Sequence, residues 1–109
     1  MMKMKRLTYI LAVAASLFAS MPAFAANQTV VTISNFTFNP SDAVVHVGDT
    51  VIFKNADDIP HQVVADDKSF HTAALDTGDE MAVTFSKAGS FPYFCGLHPH
   101  MQGKVTVMP

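Results

Sequence analysis

From Thr29 to Val107 the sequence is a series of short β-branched or aromatic runs, each stopped by a turn signal, and no segment there keeps a 3.6-residue apolar period. Strands are expected at 29–33, 44–47, 50–53, 62–64, 81–85, 90–94 and 103–107. Asn39-Pro40-Ser41-Asp42, Gly48-Asp49 and Ala88-Gly89 punctuate them. Residues 55–60 form a polar loop ending in proline, and 66–79 reads as irregular. Strands at roughly 8–12-residue spacing, with turns between them, imply an all-β sandwich or barrel. Alternation along a strand puts Phe91, Tyr93 and Cys95 on one face and Pro92 and Phe94 on the other. The aromatic pair then points into the core, and Cys95 falls at the inner end of the sandwich. Phe94 is left to be covered by another strand or to join a docking surface.

Residues 1–25 follow other rules. Lys3, Lys5 and Arg6 precede a short apolar stretch, and Ala23-Phe24-Ala25 ends it with small residues at the positions a signal peptidase reads. A membrane anchor needs about 20 predominantly apolar residues, and this stretch is short and broken by Thr8, Ser16 and Ser20. The expectation is a secretory signal peptide at 1–25, cut after Ala25, with residues 26–109 as a single periplasmic domain that keeps no membrane insertion. No paired arginines precede the apolar stretch, which favours export as an unfolded chain. Four lysines against nine acids then give the exported part a net charge of −5. That argues against nucleic acid, which needs a basic face. A domain this small buries only about 60% of its unfolded surface and gains from a staple such as a metal.

The chain has one cysteine, Cys95. It cannot form an internal disulfide, so in an oxidising compartment it is paired between chains, left free or used chemically. Cys95-Gly96-Leu97-His98-Pro99-His100-Met101 packs a thiol, two imidazoles and a thioether into one loop. Soft sulfur beside imidazole favours copper or zinc, and a trigonal His2Cys set with a weak axial Met is an electron-transfer copper arrangement. The three-residue steps from Cys95 to His98 and from His98 to Met101 let a tight loop turn all three side chains to one point. A second imidazole must come from elsewhere. His61, stiffened by Pro60 at the opening of a strand, is the best candidate.

The stretch from Gly89 through Phe91-Pro92-Tyr93-Phe94-Cys95-Gly96-Leu97-His98-Pro99-His100-Met101 to Val105 resembles the C-terminal copper loop of cupredoxins. Its Cys-x2-His-x2-Met spacing is similar to that of amicyanins, since plastocyanin and pseudoazurin place more residues between His and Met. Val47-Gly48-Asp49-Thr50-Val51 and residues 55–62 also resemble the family's middle strands and first-ligand loop. The resemblance implies a cupredoxin-like Greek-key β-sandwich of about eight strands with one type 1 copper cycling between Cu(I) and Cu(II). His61, Cys95 and His98 would be its equatorial ligands and Met101 its axial one. His98 would be the partly exposed ligand through which electrons pass. In amicyanins the corresponding histidine can protonate and leave reduced copper, which would make the potential here depend on pH.

Three departures stand out. The family usually ties its two ligand loops through Asn after the first histidine and Thr or Ser after the cysteine, where this chain has Gln62 and Gly96. Leu97 replaces a proline, so its N–H is expected to give Cys95 sulfur a second hydrogen bond beside one from the Gln62 backbone. Amicyanins also have a longer N-terminal region than residues 26–109 provide, so methylamine dehydrogenase is not inferred as the partner.

The expected function is a monomeric, non-enzymatic electron shuttle. Redox proteins would dock transiently at an apolar patch of Ile59, Pro60, Leu97 and Pro99 around His98, because such interfaces are small. The alternative is a periplasmic copper carrier or buffer that delivers the ion, which would need easier metal release than four preorganised ligands allow. No nucleophile elbow or phosphate loop is present. His46, His71 and His100 read as solvated, and Asp57-Asp58 and Asp66-Asp67 as solvated pairs that could steer a basic partner.

Overall fold

A computed structural model describes residues 26–109 of the chain; the expected signal peptide lies outside the described residues. Eight strands form: β1 (Gln28–Ser34), β2 (Thr37–Asn39), β3 (Asp42–His46), β4 (Thr50–Asn55), β5 (Val64–Ala65), β6 (Glu80–Thr84), β7 (Gly89–Phe94) and β8 (Gln102–Met108). They make two four-stranded sheets, ordered β2-β1-β4-β6 and β3-β8-β7-β5. Each sheet is mixed: β1 runs parallel to β4, and β3 parallel to β8. The all-β sandwich expected from the punctuation is therefore present.

Two elements differ from expectation. Strand β2 was not anticipated; it is three residues long, and only Phe38 in it is buried. Asn35 and Phe36 before it take positive φ (54° and 58°), so a tight turn folds β2 back on β1. The strand expected at 62–64 is reduced to Val64–Ala65. Its upstream backbone groups find other partners. The Gln62 N–H donates to Cys95 Sγ and the Val63 N–H to Thr72 Oγ1, while His61 pairs with Leu75 only as an isolated bridge.

Period-2 burial builds the core. Val31 and Ile33 of β1, Val51 and Phe53 of β4, Tyr93 of β7, and Val105 and Val107 of β8 all turn inward. Each such side chain contributes about 1.5–3 kcal/mol. Tyr93 is the hub, edge-on to Phe38 at 4.8 Å and to Phe53 at 5.3 Å between centroids. Its hydroxyl is buried with no hydrogen-bond partner among the described residues. Burial, and then the Asp42 charge, push that phenol well above its ordinary range. Gly103 makes room for the ring: a Cβ there would meet Tyr93 Cε1 at 2.8 Å.

This frame sets up one end of the sandwich. Strand β7 ends at Phe94 and β8 begins at Gln102, and these two residues face each other in the ladder. Residues 95–101 are thus a hairpin connection whose two ends are fixed side by side. Strand β4 ends at Asn55 and delivers the 56–61 loop.

Candidate metal centre

The structure brings His61, Cys95 and His98 together, with their ligand atoms all within 4.8 Å of one another. Cys95 Sγ lies 3.7 Å from His61 Nδ1 and 3.8 Å from His98 Nδ1. Bonds of roughly 2.3 Å to sulfur and 2.0 Å to nitrogen, typical of a divalent first-row ion, put S and N about 3.7 Å apart at a trigonal angle. Both sulfur–nitrogen separations therefore match those expected around one ion. The donor set is a thiol with two imidazoles, the composition that suits copper. Met101 is buried at the end of the same loop, and the four side chains are positioned as a candidate copper site.

Local bonding explains the loop. The His98 N–H donates to the Cys95 carbonyl, the Met101 N–H to the His98 carbonyl, and the Cys95 N–H to the Met101 carbonyl. Two successive turns thus close between the ends of β7 and β8, which is what the Cys-x2-His-x2-Met spacing suggested. Cys95 is fully buried. The expected bond from the Leu97 N–H to sulfur is not made; among the described residues the backbone donor to Sγ is Gln62, at 3.4 Å. Leu97 sits at the tip of the first turn, with its side chain exposed.

His61 is also fully buried, and its ring is fixed from behind. Nε2 lies 2.8 Å from Asp57 Oδ2. An ionised carboxylate only accepts, so in the neutral imidazole Nε2 carries the proton and Nδ1 offers its lone pair to the metal position. Asp57 was expected to be a solvated acid, but it is a structural hub. The His61 hydrogen bond, followed by the Phe36 N–H, holds its carboxyl below the usual carboxylate range. That carboxylate accepts from the N–H groups of both Asn35 and Phe36 (each 3.1 Å) and so fixes the positive-φ turn. Buried Asn55 anchors the loop again, donating to the Ile59 and Leu75 carbonyls and accepting from the Asp57 N–H.

The turn carries a residue that sequence reasoning missed. Phe36 stands edge-on to His61 (5.7 Å, 90°) and to His98 (5.4 Å, 86°), yet it is 47% exposed. An aromatic beside Asn in a turn was the only available hint. His98 is half-buried, and no described group bonds its other ring nitrogen. Leu97, Pro60 and Pro99 are exposed, and Ile59 is half-buried. His46, His71 and His100 are exposed and outside the cluster.

A buried thiol between two imidazoles, on a hairpin at the end of a two-sheet sandwich, defines a class. Residues 7–107 match the model of the Cupredoxin-like domain, and the chain belongs to that family. It is 32% identical over 87 residues to amicyanin from Paracoccus versutus, a match covering 75% of this chain and 66% of the relative. The chain thus spans about two thirds of that amicyanin's length. Among solved structures it is similar to the purple cupredoxin from Nitrosopumilus maritimus, with a TM-score of 0.70 and 29% identity over 72% of this chain and 98% of that one. It also matches the copper-containing nitrite reductase from Thermus scotoductus, with a TM-score of 0.73 and 28% identity over 83% of this chain but 24% of that one. The cofactor of the family is one type 1 copper, in accord with the donor set described above.

Proposed function

We propose that the protein is an exported electron-transfer protein that shuttles one electron between redox partners. Copper would be held by His61, Cys95, His98 and Met101. The observation that carries this reading is the asymmetric cluster: a sulfur with ring nitrogens at 3.7 and 3.8 Å, two of the three residues fully buried and the third half-buried at the surface. A bound copper supplies a one-electron couple. The protein's part is to keep the ligands still, because rigid ligands need little rearrangement when the charge changes.

The half-buried edge of His98 is the electron port. Exposed Leu97, Pro60, Pro99 and Phe36, with Ile59 behind them, give a small apolar rim suited to brief encounters. Partners dock there with no lasting contact, and the protein works as a monomer. Protein side chains supply every donor of the cluster, which suits a carrier of electrons. Cleavage after Ala25 delivers residues 26–109 to the periplasm.

The test is to load the purified protein with Cu(II) and record the visible spectrum and a voltammogram. An intense blue or purple band with a reversible one-electron wave is expected. A colourless protein that binds Cu(I) and yields it to a chelator would overturn the shuttle in favour of copper delivery. Cys95→Ser should abolish the band altogether.

A further inference from the structure

Where the two ligand loops approach, the side chain of Gln62 lies against Gly96. Gln62 Nε2 donates to the Thr72 carbonyl at 2.9 Å, which stretches the Gln62 side chain across the backbone of Gly96. A Cβ at 96 would collide with Gln62 Oε1, would stand 2.9 Å from Gln62 Cδ and 3.2 Å from Val64 Cγ2. The volume that a side chain at 96 would fill is thus already filled by residue 62. Thr72 is itself fully buried and held on both sides: its Oγ1 accepts from the Val63 N–H and donates to the Ala73 carbonyl. The anchor for Gln62 is therefore a rigid one.

The same residue supplies the backbone N–H that reaches Cys95 Sγ. We infer that Gln62 is a positioning residue for the thiolate: its side chain, clamped on Thr72 across Gly96, sets the backbone donor against Cys95 sulfur, and glycine at 96 is a steric requirement of that clamp. A donor aimed at the sulfur withdraws electron density from it and favours the reduced metal. Loosening the clamp moves the donor off the sulfur, which lowers the reduction potential and shifts the sulfur-to-copper absorption band. Any side chain at 96 has the same effect indirectly, by expelling Gln62 from its place. The inference rests on the copper reading above.

Two sets of measurements test it, on wild type, Gln62→Ala, Gly96→Ala and the double variant. The first is thermal melting of the metal-free proteins, which needs no copper. Gly96→Ala is expected to lower the melting temperature clearly in the wild-type background and hardly at all when Gln62 is already alanine. Equal losses in both backgrounds would overturn the steric coupling. The second is the potential and absorption maximum of the copper-loaded proteins. Gln62→Ala and Gly96→Ala should lower the potential in the same direction, and the double variant should match Gln62→Ala. A blue Gln62→Ala protein with unmoved potential and band would overturn the positioning role, even with coupling in the melts, because the contact would then be structural only. Gln62→Asn, a milder truncation that cannot reach Thr72, should reproduce the shift where Gln62→Ala folds poorly. A wild-type protein with no charge-transfer band would overturn the copper reading and this inference together.

Discussion

His61 and His98 bring a ring nitrogen to 3.7 and 3.8 Å of the same sulfur, yet the chain holds them by different means. His61 is locked from behind by Asp57, and Asp57 is locked in turn by Asn55 and by two backbone N–H groups of a neighbouring turn. His98 has its own short hairpin, the edge of Phe36 and the ring of His61. One imidazole belongs to the core and the other to the surface. The cluster is thus braced by the core on the His61 side and reaches the surface at His98. The difference also says where stability resides: in the metal-free protein it should depend on the buried side of the site and hardly on the exposed one.

Removing each ring in turn gives the largest effect. His61→Ala empties a fully buried position and strips Asp57 of a hydrogen bond, at a cost of about 3 kcal/mol to the metal-free protein. His98→Ala should cost less than about 1 kcal/mol, as a half-exposed residue with no bonded partner behind it. Urea unfolding measures both, and equal losses would break the comparison. Next comes the support beneath His61. Asn55→Ala removes three hydrogen bonds at a fully buried position and should lower stability by about 2 kcal/mol, roughly 10 °C in melting temperature. The same substitution should leave the half-buried His98 ring unchanged by NMR.

The smallest effect sharpens the contrast by moving away from the site. Asp49 accepts from the backbone N–H groups of His46 and Asn27, and the His46 bond chiefly holds its carboxyl below the ordinary range. A lowered folded value means a contribution present in full above the unfolded carboxylate value of about 3.9 and lost as pH falls through the folded one. Melting temperature of the metal-free protein should thus fall as pH drops below about 4. Asp49→Asn should flatten that fall without changing the spectrum of the copper form.

The sequence was most informative where chemistry and geometry shared one short segment. Cys95, His98 and Met101 lie on a single hairpin, so their spacing alone nearly determined their meeting, and the alternation of Phe91, Tyr93 and Cys95 gave the correct inward face. His61 was found because Pro60 and a strand start pointed to it. Asp57 and Phe36 were missed for a common reason. Their roles come from a contact between segments about twenty residues apart, set by the pairing of β1 with β2 and β4. No local pattern marks an acid that will meet a distant turn rather than water. The bond from Leu97 to sulfur failed because the presence of an N–H says nothing about its direction. Strand β2 escaped notice because a three-residue strand carries too little alternation to register.

The position of β8 has a further consequence. It lies between β3 and β7, in the middle of its sheet, yet it follows every other described strand in the chain. Strand β3 has no neighbour in that sheet until β8 is made. A growing or threading chain therefore cannot complete this sheet early, and Met101, one residue before β8, cannot reach its place ahead of it. The strand that comes last in the chain is thus the one that joins β3 to the rest of its sheet, and it seats the end of the 95–101 hairpin as it does so.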